Sequence, residues 1–468
     1  MSFAHLILCV SILLTVSDLS IAQTPPIERD PTITSWPKTR PERTEHRESS
    51  SLQDVEWFLD ELQKRGASFT REVIGQSVRN RDLLLVTVAD PPTTPVDARR
   101  AGKMVVYIQA NIHGGEVEGK ESVQVLLRQI AQGRHAAWLE QCVLLITPIY
   151  NVDGNEALGD GRRNRPNQNG PAIIGRRPNG QGLDLNRDCI KAESPEMRAV
   201  LEAVYGRWDP DVIIDLHATN GTRHGYGLTY SPPLDPNTVS PVLEFARDEL
   251  LPEIRRRLAP ELQTFDYGNF RGKKWSTFGP EPRYATNYAG TRNRIGLLSE
   301  AMSYLPFDER IAVTNLYVTA ILDRLCEVGA PKIRDLIRIA DQTVIGWGTA
   351  PEEAPELGVR FELASRGVEG VLLEDPEQKT GPGPTKPGPS IEVEAEIFDR
   401  FRATETARFP GAYFIPASQP ELITLLRRHG IQVERLRQEW SGPIDSFAIE
   451  TCTTAERPFQ GHYLVRLA

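Results

Sequence analysis

The stretch Met104–Ser122, MVVYIQANIHGGEVEGKES, runs from an apolar β-type segment straight into His113-Gly-Gly-Glu116 and then into helix-favouring residues. An imidazole and a carboxylate three residues apart, fixed at a strand end, can grip one face of a Zn²⁺ ion, because both are ordinary zinc ligands. A third ligand must come from elsewhere. His217 in Asp211–Thr219, DVIIDLHAT, stands at the end of another apolar run, and open α/β sheets gather their ligands at the carboxyl ends of their strands. Two histidines and one glutamate leave a position for water, the catalytic rather than the structural arrangement. His-x-x-Glu alone is a weak signal, since a lone His near a strand end is more often a satisfied polar residue. The second histidine at a matching strand end tips the reading to one bound zinc ion.

Two further segments add chemistry. Gly182-Leu-Asp-Leu-Asn186-Arg187 sets an amide beside a guanidinium, and arginine binds a carboxylate through its planar fork. Ile295–Met302, IGLLSEAM, carries Glu300 near the end of an apolar run. A carboxylate there can act as general base on a water whose pKa a zinc ion lowers to about 7. Less chemical positions agree: Val73–Arg81, VIGQSVRNR; Pro148–Gly154, PIYNVDG; and Glu193-Ser-Pro-Glu196.

In this order the segments resemble the zinc carboxypeptidase family typified by carboxypeptidases A and B, over roughly Leu52 to Val328. The resemblance implies that His113, Glu116 and His217 hold zinc, that Glu300 is the general base, and that Asn186 and Arg187 seat the C-terminal carboxylate of a peptide. It also implies an upstream arginine that offsets charge on the scissile carbonyl oxygen. Arg177 has the spacing of shorter-looped relatives and is the expected residue, with Arg163 and Arg165 as alternatives in a basic loop. The family's mobile tyrosine falls where this chain has Phe278, so Tyr288 is expected to close the pocket, with Tyr284 as the other candidate. Arg292 and Arg294, just upstream of Glu300, would favour an acidic terminal side chain if they reached the pocket; pairing with surface acids is at least as good a reading. Ser299 and Cys189 lack a neighbouring His in sequence and give little support to a covalent nucleophile.

Short β-type runs at 83–88, 104–112, 143–149, 212–216 and 295–298 alternate with helical stretches at 122–132 and 241–258. This alternation indicates an α/β domain with a central mixed, largely parallel sheet flanked by helices, spanning 52–329. Past Gly329 the runs 344–347, 359–363, 368–373, 391–398 and 462–467 read as strands around a Gly/Pro loop at 380–390, with a helix at 419–429. The tail, 330–468, is therefore expected to be a smaller β-rich accessory domain. Residues 23–51 are Pro-rich and charged and read as an extended lead-in.

Leu6–Val16, LILCVSILLTV, is too short to span a bilayer, and Ser20-Ile-Ala22 resembles a cleavage site. Residues 1–22 thus read as a signal peptide, and the mature chain as exported, periplasmic or extracellular, without a transmembrane segment. Four cysteines then remain, Cys142, Cys189, Cys326 and Cys452, none in a Cys-x-x-Cys pair. A chain of 468 residues, 40% hydrophobic and 25% charged, has the length for more than one core. A net charge of −9 argues against nucleic acid as partner. The leading expectation is a zinc metallocarboxypeptidase acting on peptides. A zinc deacylase or amidase acting on N-acyl amino acids or cell-wall peptides is the alternative. A catalytically silent binding module is disfavoured by the retention of Glu300 with all three ligands.

Overall fold

The computed structural model describes residues 35–467, apart from 382, 447, 460 and 461. The expected signal peptide and the beginning of the lead-in lie outside the described residues. An eight-stranded sheet forms the centre: β1 (Thr70–Gln76), β2 (Asp82–Val88), β3 (Met104–Ala110), β4 (Cys142–Thr147), β7 (Val212–Ala218), β8 (Leu228–Ser231), β9 (Thr264–Asp266) and β12 (Ile295–Ala301). Their order is β1-β2-β4-β3-β7-β12-β8-β9. The inner strands β4, β3, β7 and β12 run parallel, while β1, β2 and β8 join antiparallel. β3, β4 and β7 are buried along their whole length, which explains their near-continuous apolar sequences, because helices cover both faces of a parallel sheet.

Parallel pairing brings the carboxyl ends of β3, β7 and β12 to one edge. The register sets Ala110 beside Leu216 and Glu300 beside His217. Beyond β3 the chain turns through Asn111, whose positive φ of 59° is tolerated by few residues other than Gly and Asn. Its side-chain amide donates to the carbonyls of His113 and Glu116 at 3.2 and 2.8 Å, closing the His-Gly-Gly-Glu turn on itself. A side chain at Gly114 would collide with the backbone at Gly154, and one at Gly175 would collide with both Gly154 and Gly114. These three glycines let the loops beneath the turn pack backbone to backbone.

The helix Glu118–Ala131 follows the turn, and its buried charges are all engaged. Glu118 pairs with Arg310 at 3.2 Å, Lys120 contacts Asn155 and the Ser50 carbonyl, and Glu121 accepts from Ser50 at 2.7 and 2.6 Å. The described part of the lead-in is therefore ordered rather than extended. Thr39 and Glu42 form a capping box on the short helix Arg40–Arg43, and Glu42 clamps Arg128.

The tail departs from its expected form in two ways. Residues 344–347 are not a strand but belong to the helix Ala330–Thr349, whose buried Ile333, Ile337 and Ala340 recur at helical spacing. The β-rich part is a long hairpin, β13 (Leu357–Glu374) and β14 (Ser390–Ala407), and it does not stand alone. β14 pairs in parallel with β11 (Lys274–Ser276), which in turn pairs with β10 (Asn269–Arg271), giving a second sheet in the order β10-β11-β14-β13. A small core of Tyr226, Phe265, Trp275, Val371, Ala395 and Ile397 seals the junction. Two minor pairs complete the strands: β5 (Gly159–Asp160) with β6 (Ile173–Ile174), and β15 (Cys452–Thr454) with β16 (Val465–Leu467). The helix Pro420–Arg428 lies where one was expected. Among the described residues the four cysteines, Cys142, Cys189, Cys326 and Cys452, are free thiols, with Cys142 Sγ 3.6 Å from Cys326 Sγ. Among the described residues no helix is long and apolar enough to cross a membrane.

Trp275 is fully buried and its indole N–H donates to the Asp266 carbonyl at 3.0 Å. Trp275→Ala is expected to cost about 3–5 kcal/mol in urea denaturation and to open β13–β14 to proteolysis. A loss below about 1 kcal/mol, within the range of ordinary surface changes, would mean that the hairpin is not held by this core.

Candidate active site

His113, Glu116 and His217 come together at the edge where β3 and β7 end. One ligand atom from each lies within 4.8 Å of the others, and all three residues are buried. The fit to a cation follows from the hydrogen bonds behind them. His113 Nε2 faces Asp184 Oδ1 at 3.0 Å, and His217 Nε2 faces Asp215 Oδ2 at 2.8 Å. Each carboxylate holds a proton on Nε2 and thereby leaves Nδ1 with a bare lone pair. The two Nδ1 atoms face each other at 3.2 Å, and Glu116 reaches them at 3.0 and 2.8 Å. Three lone-pair donors aimed at one point repel one another unless a positive charge sits among them.

The electrostatics agree. Burial works against the charged form of His217, but Asp215 and Glu116 outweigh it and push its pKa well above the ordinary imidazole range. Burial likewise opposes ionised Glu116, yet His113 and Arg165 hold its carboxyl well below the usual range. Asp184 is held below the carboxylate range in the same way, against burial, by His113 and Arg177. A proton on His217 thus does what a metal ion would do better.

The cavity in front of these atoms has a volume of about 250 Å³. Glu300 enters it from β12 beside His217, and burial raises its pKa to about 8 against the opposing pull of His217. Its Oε2 is buried without a partner. Arg177 also lines the cavity, held by Asp184 through Nε at 2.9 Å, with Nη1 3.2 Å from His113 Nδ1. The other two arginines are elsewhere. Arg163 is exposed, and Arg165 is buried behind Glu116, which it holds at 2.8 Å while donating to the Ala218 carbonyl.

Asn186 and Arg187 line the same cavity. Asn186 Oδ1 accepts from the Ala285 N–H at 2.9 Å, and its Nδ2 lies 3.3 Å from His217 Nε2. The Arg187 guanidinium stacks 4.3 Å above the Tyr284 ring, and its Nε is buried with no partner. The residue is half-buried, its Nη1 donates to the Asn186 carbonyl at 2.6 Å, and burial lowers its pKa against the opposing pull of Asp184, which leaves Nε free for an anion.

Tyr288 is not in the cavity, contrary to expectation. It packs edge-on against Tyr205 at 5.3 Å, and its hydroxyl meets His429 Nδ1 at 2.8 Å. Tyr284 lines the cavity instead, because it is the extended residue just ahead of the helix Ala285–Thr291, whereas Tyr288 sits inside that helix on its core side. Phe278 lines the cavity too, edge-on to Tyr284 at 4.9 Å. Arg292 and Arg294 do not reach it: Arg292 donates to the His429 carbonyl, and Arg294 pairs with Asp209 and Asp341.

Sequence reasoning missed Asn220, Tyr267, Thr286 and Leu298 in the cavity wall and the two supporting carboxylates. Asp215 was findable, since residues two apart on a strand share a face. Tyr267, in a short connection between β9 and β10, carried no signal.

The family model for zinc carboxypeptidase matches residues 55–295. The chain belongs to the zinc carboxypeptidase family. The match takes in His113, Glu116 and His217 and ends before Glu300. Among relatives of this zinc carboxypeptidase family chain, carboxypeptidase 2 of Trichophyton tonsurans is 22% identical over 386 residues, covering 77% of this chain and 64% of that protein. Human cytosolic carboxypeptidase 6 is 28% identical over 180 residues, 36% of this chain and 32% of that protein. A metallo-carboxypeptidase from Burkholderia cenocepacia is similar in structure, with a TM-score of 0.45 and 20% identity over 59% of this chain and 69% of that one.

Zinc added to chelator-treated protein is expected to raise its melting temperature. Binding at 1,000 times the dissociation constant stabilises the folded state by about 4 kcal/mol, and His217→Ala should abolish the shift. An equal shift in both proteins would place the bound zinc elsewhere.

Proposed function

We propose that this protein is a zinc-dependent metallocarboxypeptidase that removes C-terminal residues from peptides by attack of an activated water. His113, Glu116 and His217 would hold one zinc ion, which supplies Lewis acidity and lowers the pKa of water to about 7. The observation that carries the reading is the half-buried Arg187, with an unpartnered Nε, in the same small cavity as His113, Glu116 and His217. A half-buried guanidinium in the same cavity as the reacting centre favours substrates that end in a carboxylate.

This chain's own groups then divide the work. Arg187 and the Asn186 side-chain amide seat the terminal carboxylate. Glu300, as carboxylate, accepts the proton of the attacking water at its unpartnered Oε2 and returns it to the leaving amine. Arg177 offsets the negative charge that develops on the carbonyl oxygen. Asp184 and Asp215 keep the imidazoles oriented, and Arg165 does the same for Glu116. Tyr284, on the carboxylate side, and Phe278 wall off solvent.

A base works only when deprotonated, so turnover falls as pH falls through the pKa of Glu300. That value is about 8 without a cation, and a bound divalent ion lowers it further. The acid limb of kcat/KM is therefore expected below pH 8. Glu300→Gln should retain zinc while kcat drops by about 10²–10⁴, the usual worth of general base catalysis; unchanged turnover would remove Glu300 from this role.

A peptide-library digest read by mass spectrometry tests the activity as a whole. Stepwise loss of C-terminal residues that chelator stops and zinc restores is the expected result. Cleavage confined to N-acyl amino acids or isopeptide-linked fragments would assign the chain to the deacylase or amidase class. We also propose export, on the apolar run Leu6–Val16 and the small residues Ser20-Ile-Ala22. The mature chain recovered outside the cytoplasm should then begin at Gln23, and recovery of an uncleaved chain inside would contradict this.

A further inference from the structure

A second cavity of about 870 Å³ lies beside the first. Thr222, Phe270 and Tyr304 form one wall, and Leu373, Ile391 and Val393 of the β13–β14 hairpin form the other. The hairpin wall lies outside residues 55–295, where the family model matches. The cavity's position is fixed by two short connections. Asn220 lines the first cavity and Thr222 the second, and two residues span at most about 7 Å. Tyr267 and Phe270 repeat the relation three residues apart.

The shared partition is held firmly. The Phe270 N–H donates to Thr222 Oγ1 at 2.8 Å, and the Tyr304 hydroxyl donates to the Gly221 carbonyl at 3.3 Å. Arg223 stacks 4.6 Å over the Tyr304 ring and is neutralised by Glu374 through bonds of 2.6 and 3.2 Å. With that pair balanced, aromatic and aliphatic side chains dominate the wall, to which the exposed Lys379 and the half-buried Thr380 also contribute, and Ile391 is 40% exposed. An apolar side chain so placed, on a strand anchored by its own core, gains by being covered.

An extended peptide advances about 3.3 Å per residue. The two-residue step from Asn220 to Thr222 and the three-residue step from Tyr267 to Phe270 thus match two or three residues of an extended substrate. We propose that the cavity receives a large apolar side chain of a polypeptide substrate, two or three residues N-terminal to the bond cut. The proper substrates are then polypeptides rather than single acylated amino acids. This rests on the carboxypeptidase reading and adds the hairpin as its specificity device.

The test uses the full chain loaded with zinc and three blocked peptides ending in X, the residue that the library digest releases fastest. These are acetyl-Ala-X, acetyl-Phe-Ala-Ala-X and acetyl-Asp-Ala-Ala-X. The phenylalanine peptide is expected to exceed the dipeptide in kcat/KM by about tenfold, the scale of one buried apolar side chain, through a lower KM at similar kcat. The aspartate peptide should stay near the dipeptide. Ile391→Trp, which fills the cavity from a partly exposed position, should erase the phenylalanine advantage and leave dipeptide turnover unchanged. Equal kcat/KM for all three peptides, or an advantage that survives Ile391→Trp, would overturn the proposal while leaving the carboxypeptidase reading intact. No hydrolysis of any peptide would overturn both.

Discussion

Two imidazole nitrogens that confront each other at 3.2 Å with a carboxylate between them form the constraint on which the rest of this molecule depends. Such an arrangement is unfavourable on its own, because bare lone pairs face each other in a buried place. It persists because Asp184 and Asp215 fix the opposite nitrogens, and because the parallel register of β3, β7 and β12 brings their carboxyl ends to one edge. Each Asp is anchored in turn, Asp184 by Arg177 and Asp215 by Gln109. The site is thus preorganised by layers of buried polar contacts, which order a metal centre more firmly than its ligands alone can.

Charge is distributed around this point with equal economy. Arg165 and Arg177 both approach Glu116, but one is buried behind it and the other opens to the cavity. Two guanidiniums from one stretch of chain are therefore placed differently, one holding the Glu116 carboxylate from behind and one facing the cavity. Arg187, half-buried and stacked on Tyr284, lines the same cavity. Leu298 and Thr286 line the cavity without charge, and Arg292 and Arg294, the cations nearest in sequence to Glu300, are spent on other partners.

Much of this was legible in the sequence. The apolar runs that end in His113, His217 and Glu300 gave both the sheet and the ligand set, because a buried parallel strand needs a continuous apolar sequence and its exit is where polar groups can face a cleft. What escaped depended on rotation or on distance along the chain. Tyr284 and Tyr288 differ only in which side of a helix start they occupy, and residue identity does not reveal that. The helix Ala330–Thr349 was misread in part because Val344–Trp347 is apolar over four residues, although Ile333, Ile337 and Ala340 carried the helical period. The pairing of β14 with β11 joins residues more than a hundred positions apart, and no local pattern encodes such a contact.

The account stands or falls at the metal. Zinc K-edge X-ray absorption on the metal-loaded protein measures that coordination sphere directly. Only nitrogen and oxygen neighbours at about 2.0–2.2 Å, with the scattering signature of two imidazoles, are the expected result. A sulfur neighbour at about 2.3 Å, or the absence of imidazole scattering, would contradict it.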